Sequence, residues 1–216
     1  MAQPIKPIGI RREDKSVWER RVPVTPQDAA RLQEQGVPVI VQPSPTRAFR
    51  DEEFVAAGVP VQEDLSACPL IFGIKEMPKS FFEPGKTYMF FAHVIKGQPY
   101  NMPMLRRLLD LGCTLIDYER VVDEKNRRLI FFGWHAGVAG MVDTLWALGQ
   151  RLTWEGVANP FAALRQMHTY HDLAEAKAAL AQVRAEIEAH GLPEAVTPLI
   201  VGVAGYGNVS RGAQEI

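Results

Sequence analysis

Cysteine is scarce in this chain: Cys68 and Cys113 are the only two among 216 residues, both in apolar surroundings and without the spacing of a metal site. That excludes a disulfide framework and reads as two reduced, buried, inert thiols of an intracellular protein. An excess of one charge is also lacking. The 24 Lys and Arg against 25 Asp and Glu give a net charge of −1, which argues against a nucleic-acid partner, since such surfaces carry a basic excess. No apolar run approaches the roughly 18 residues of a membrane span. Met1-Ala2-Gln3-Pro4 shows no basic start and apolar core of a signal peptide. The 16 prolines are scattered, and neither a low-complexity tract nor an internal repeat is found. A cytoplasmic globular protein with no nucleic-acid or membrane partner is expected.

What the chain does have is alternation of strand-type and helix-type segments. Residues 7–11 (PIGIR) read as a short buried strand, followed by a strongly charged loop over 12–21. Thr25 suits an N-cap, Pro26 the first helical position and Asp28 the first turn, with Gly36 ending the helix. Residues 37–41 form the next strand, and a short helix opens at Asp51 and ends at Gly58. Residues 69–75 (PLIFGIK) and 87–95 (TYMFFAHVI) are continuous apolar runs of the kind buried on both faces of a parallel sheet. A helix over 104–111 stops at Gly112, a strand follows over 113–118, and a polar turn at 123–126 leads to a hairpin return along 128–132. The reading is an α/β domain over residues 1–133 with a Rossmann-like, mainly parallel sheet.

Residues 134–216 read as connecting helices and the start of a second domain. Residues 136–152 are apolar on most faces and predict a buried helix, where Gly137 and Gly140 let another element approach. Asp172 and Glu175 resemble a capping box, and Leu173, Ala176, Leu180, Val183 and Ile187 make one apolar stripe. Residues 199–204 then read as a strand entering Gly205-Tyr206-Gly207, with a helix from Asn208. This is the strand, turn and helix start of a dinucleotide-binding unit, although Ser210 stands at the third glycine position. A plain βα turn has the same local pattern. His168-x-x-His171 lacks a third ligand, so no metal site is assigned.

Ligands collect at the carboxyl ends of strands in open α/β sheets. Lys75 and Glu76 close one apolar strand, His93 and Lys96 end the next, and Glu119 finishes a third. Polar strand ends also occur where strands reach solvent. A lysine and a histidine on one rim nevertheless suit proton transfer, and Arg21 is able to clamp a carboxylate through parallel N–H···O bonds.

The runs IGIRREDKSVWERRVPVTP, LIFGIKEMP, YMFFAHVIKGQPYNM, LIDYERVVD, FFGWHAGVAGM and GYGNVSRGAQEI, in this order, resemble the lysine–2-oxoglutarate reductase (saccharopine-forming) module of the alanine dehydrogenase and transhydrogenase N-terminal superfamily. The resemblance implies condensation of L-lysine with 2-oxoglutarate and reduction by NADP or NAD in its reduced form, giving saccharopine. It implies that Lys75 and His93 are the acid–base pair and Arg21 binds a substrate carboxylate. Glu76, Lys96, Glu119 and Arg128 fall on pocket positions, with a structural ion pair between the last two left open. Gly205, Gly207, Asn208, Val209 and Ser210 match the phosphate turn. Members of the family continue past this turn, so the chain is expected to be a fragment, with a truncated nucleotide-binding domain and incomplete cofactor binding. An unpaired strand over 199–204 would invite a homodimer. The alternatives are an NAD-linked lysine-forming saccharopine dehydrogenase, an alanine dehydrogenase, and a dicarboxylate-binding regulatory module.

Overall fold

The computed structural model describes residues 5–216, which divide into two compact units between Ile130 and Phe131. In the first unit, β1 (Ile8–Ile10), β2 (Val39–Val41), β3 (Leu70–Phe72), β4 (Thr87–Phe90) and β5 (Thr114–Asp117) form one sheet in the order β2-β1-β3-β4-β5. Every neighbouring pair is parallel, as a Rossmann-like sheet requires. The chain moves from β1 outward to β2, then crosses to the other side of β1 for β3. The order therefore reverses between β1 and β3, and this is the switch point where α/β sheets bind ligands.

The apolar runs pack both faces of β3 and β4, unequally. Ile71, Tyr88 and Phe90 are fully buried in a cluster with Cys68 and Leu108. Phe72 and Met89 are partly buried against Ile74, Phe91 and Tyr118. The ladders are shorter than the apolar runs, because residues 73–75 and 91–95 leave the sheet to build the rim.

Three helices connect these strands: α1 (Pro26–Glu34), α2 (Asp51–Ala56) and α3 (Met102–Asp110). Thr25 Oγ1 accepts the Asp28 N–H at 3.1 Å, and Gly36, Gly58 and Gly112 follow the helices with φ of 81°, 75° and 62°. These left-handed positions are where glycine carries no Cβ penalty. The hairpin return over 128–132 is formed only at its start, where Leu129 N–H donates to the Val121 carbonyl at 2.9 Å. One antiparallel bridge joins Val122 and Arg128, and Phe131 and Phe132 are exposed.

In the second unit, α4 (Gly133–Trp154) and α5 (Leu173–His190) supply most of two apolar clusters, and α6 (Asn208–Gln214) packs against α4. The α5 stripe is intramolecular: Ala176 and Val183 are buried, with Leu180 and Ile187 beside them. The Asp172 side chain accepts the Glu175 N–H at 2.8 Å, but Glu175 reaches past the cap to the His171 N–H at 2.6 Å, so the reciprocal box is not closed. α4 is less buried than its composition predicts, with one side held by Gly137, Val138, Val142, Gly149 and Leu152. Gly137 does admit a neighbour, since a Cβ there would lie 1.9 Å from the Val209 carbonyl oxygen of α6. Gly140 does not, having nothing within 4 Å of such a Cβ. Among the described residues, none pairs with 199–204 as a strand. Ile200, Val201 and Val203 are exposed, so the expected strand is an apolar sequence without a ladder.

Candidate active site

The site is built where β1, β3 and β4 end. Arg11 N–H donates to the Phe72 carbonyl at 2.9 Å, and Gly73 N–H to Met89 at 3.0 Å. Phe91 N–H donates to the Ile74 carbonyl at 3.0 Å. These bonds carry the parallel pairing slightly beyond the regular ladder and bring the peptides before Lys75 and His93 to one rim. The N–H groups of Ile74 and Lys75 point to another partner: the Glu13 carboxylate accepts both, at 2.7 and 2.9 Å. Burial pushes the Glu13 carboxyl above its usual range despite those two bonds.

Glu76 is the hub of the rim. Its side chain is 8% exposed and meets Lys15 Nζ at 2.7 Å, His93 Nδ1 at 3.0 Å and Asn101 Nδ2 at 3.0 Å. Burial alone would raise this carboxyl; hydrogen bonds from Lys15, its own backbone N–H, Asn101 and His93 outweigh that and hold it at about 2. An ionised carboxylate only accepts, so Nδ1 of His93 is the donor in this contact and Nε2 is the ring nitrogen left for another partner. His93 itself has φ of 50°, a left-handed conformation that non-glycine residues rarely adopt. Asn101, buried at 4% exposure, also donates to the Ala92 and His93 carbonyls at 3.1 and 3.2 Å. The strained turn is thereby held from below.

The depressed Glu76 carboxyl has a consequence for acid stability. A group held below its unfolded value contributes stability above that value, which is lost as pH falls through the folded one. The window is therefore between pH 4.5 and about 2. Chemical denaturation across this window is expected to cost the wild type up to about 3 kcal/mol more than Glu76→Gln. Parallel pH profiles for the two proteins would contradict the network.

The remaining predicted residues are distributed unevenly. Arg21 turns its Nε and Nη2 onto Glu19 at 2.7 and 2.6 Å, so the fork assigned to a substrate carboxylate engages an internal one. Burial would raise Glu19, but the Arg21 bonds outweigh it and leave the carboxyl lowered, with Lys75 contributing in the same direction. Glu119 pairs with Arg128 at 3.2 Å, the structural alternative left open by their sequence. Lys96 is exposed in the turn that Gly97 closes by donating to the Val94 carbonyl. A cavity of about 540 Å³ opens on Lys15, Glu76, Tyr100 and Asn101; neither Lys75 nor His93 lines it.

In the second unit, Gly205 has φ of 100°, and Gly207 begins α6 with no side-chain cap. A Cβ added at either glycine would meet nothing within 4 Å. The backbone N–H groups there suit a phosphate. Ser210 is buried, its Oγ accepting from Gln214 Nε2 at 2.9 Å.

Glu13, Lys15, Glu19 and Asn101 were not among the residues singled out from sequence. The first three lie in the charged loop after β1, where composition alone reads as a solvated surface. A loop directly following a central strand was the available signal. Asn101 follows Pro99-Tyr100 in a polar stretch that has no periodicity to mark it.

The family model described as alanine dehydrogenase/PNT, N-terminal domain, matches residues 9–139. The mitochondrial alpha-aminoadipic semialdehyde synthase of Bos taurus is 41% identical over 209 residues, covering 97% of this chain and 23% of that protein. A saccharopine dehydrogenase [NAD(+), L-lysine-forming] of Yarrowia lipolytica is 37% identical over 158 residues, 69% of this chain and 42% of the relative. Among solved structures, an L-alanine dehydrogenase superposes with a TM-score of 0.53 at 20% identity, over 71% of this chain and 42% of the other. The last is a likeness of fold. The chain thus spans about a quarter to two fifths of these proteins' lengths.

Proposed function

Since the chain belongs to the alanine dehydrogenase/PNT N-terminal domain family, we propose that it carries the substrate half of a lysine–2-oxoglutarate reductase. The reaction joins the ε-amine of L-lysine to the ketone of 2-oxoglutarate and reduces the resulting imine to saccharopine. The observation that carries this reading is the Glu76–His93 pair at the carboxyl ends of β3 and β4, with Lys75 next in the chain to Glu76.

Forming an imine from an amine and a ketone is largely proton management. The amine must shed protons before and after attack, and the ketone oxygen must gain them to leave as water. Lys75 and His93 are the acid–base pair, with Glu76 holding the imidazole so that Nε2 faces the exchange. Lys96, and Arg21 once it exchanges Glu19 for the substrate, offer cations to the carboxylates of 2-oxoglutarate, while Glu119 and Arg128 line the pocket as a pair. Glu76 and Glu19 are paired with Lys15 and Arg21, so a substrate ammonium would exchange with those cations for its carboxylate partner. NADPH or NADH, when bound, supplies the hydride. Gly205, Gly207, Asn208, Val209 and Ser210 are the residues that would hold its pyrophosphate, which fits the open backbone of that turn.

The test is an assay of the protein as its gene encodes it. With lysine plus 2-oxoglutarate, kcat/KM is expected to exceed that with pyruvate plus ammonia by on the order of 10²-fold or more. Preference for pyruvate and ammonia would replace the reading by an alanine dehydrogenase. Comparing NADPH with NADH, in both directions, separates the saccharopine-forming enzyme from the NAD-linked lysine-forming one.

A further inference from the structure

We propose that Glu13 is a positioning residue for Lys75, holding the main chain from which that side chain departs. Between β1 and β3 the last backbone bond is Arg11 N–H to the Phe72 carbonyl. Beyond it the two chains part, and the next donors on the β3 side, the N–H groups of Ile74 and Lys75, have no backbone acceptor from β1. Ile74 is buried, so water does not readily replace that acceptor. The Glu13 carboxylate takes its place, one oxygen on each N–H at 2.7 and 2.9 Å. A side chain here continues the pairing that the backbone has abandoned.

The other edge of the same segment is also fixed, by Phe91 N–H on the Ile74 carbonyl. The peptide that carries Lys75 is thus pinned from both neighbouring strands, once by backbone and once by Glu13. Gly73 is what lets the carboxylate come so near. A Cβ at that position would lie 3.3 Å from Glu13 Oε1 and 2.7 Å from the Met77 methyl. Glu13 holds Lys75 by its backbone N–H, so the lysine amine takes no part in that bond. Glu13 and Lys75 come from opposite sides of the switch point, so the carboxylate ties the site to the one place where the sheet has a crevice.

The inference rests on Lys75 being the acid–base lysine proposed above, and the experiment separates the two. Glu13→Gln keeps the volume and one acceptor but turns an NH₂ group toward the second N–H. In the protein as its gene encodes it, kcat for saccharopine formation is expected to fall by on the order of 10-fold, with KM changed less than about twofold, as for a displaced rather than a missing group. Glu13→Asp, which keeps both ionised oxygens but retracts them, is expected to recover part of that loss. Amide hydrogen exchange reads the clamp directly: protection of Ile74 and Lys75 is expected to drop by on the order of 10²-fold in Glu13→Gln, with β4 unchanged. Unchanged protection overturns the proposal. So does lost protection with wild-type kcat, which would make the bond structural only. If neither substrate pair is turned over, the functional reading fails; the proposed role for Lys75 then falls with it, while the exchange data still decide whether the clamp exists. Should Glu13→Gln not fold, Glu13→Asp is measured alone, and full protection together with full kcat in it counts against the proposal.

Discussion

Lys75→Met is expected to lower kcat for saccharopine formation by on the order of 10²-fold, the usual cost of removing acid–base assistance. Methionine keeps the unbranched shape of lysine as far as Cε, with sulfur at the δ position, and lacks the amine. The backbone N–H of Lys75 stays on Glu13, so the local main chain has no reason to move. Denaturation midpoints should therefore match the wild type while turnover collapses. His93→Gln is expected to lose activity by a similar factor but is a less clean variant. Gln can still donate to Glu76, yet at φ of 50° it is less at ease than His, which is enriched among non-glycine residues there. A stability loss of about 1 kcal/mol should accompany its catalytic loss. Steady-state kinetics on both variants decides the matter, and near-normal turnover in the two would remove the proposed acid–base pair.

The second large effect is structural. Gly137→Ala is expected to destabilise the second unit by about 3 kcal/mol or more, at the upper end of overpacking costs. The added Cβ would lie 1.9 Å from the Val209 carbonyl oxygen and 2.7 Å from the Ala213 nitrogen. The obstacle is backbone, which cannot swing aside as a side chain can. The reciprocal contact is as close: a Cβ at Gly212 would lie 1.9 Å from the Trp134 carbonyl oxygen. α4 and α6 therefore touch main chain to main chain. Gly140→Ala serves as the control, since nothing lies within 4 Å of its Cβ. Helix propensity should make it neutral or stabilising by up to about 1 kcal/mol. Thermal melts of the two variants that coincide would refute the close packing.

The parallel sheet was legible because β3 and β4 lie in uninterrupted apolar runs, and that pattern has few other uses. The rim followed from it: Lys75 and His93 were found as ionisable residues where those runs end. Helix ends were legible for the same local reason, with Thr25 and Gly36 acting on their own neighbours. The loop after β1 was not legible in this way. Whether Lys15 meets Glu76, or Glu19 takes the Arg21 fork, depends on chain returning from many residues away. Residues 199–204 mark the opposite limit. Their composition is that of a strand, but a strand exists only with a partner, and composition does not say whether one is at hand.

The Glu13–Lys75 bond spans 62 residues of chain, and the Phe91–Ile74 bond joins a third strand to it. The first needs β1 and β3 in register and the second β3 and β4, so both are present only when all three strands have paired. Closing loops of that size costs entropy before any contact repays it, and parallel pairings are slow for that reason. Local helices such as α1 need no such wait. The proposed acid–base pair would therefore assemble among the last events in folding of the first unit, and the recovery of turnover during refolding should lag the recovery of helical signal. With the proposed roles of Lys75 and His93, turnover would act as a clock for completion of the sheet.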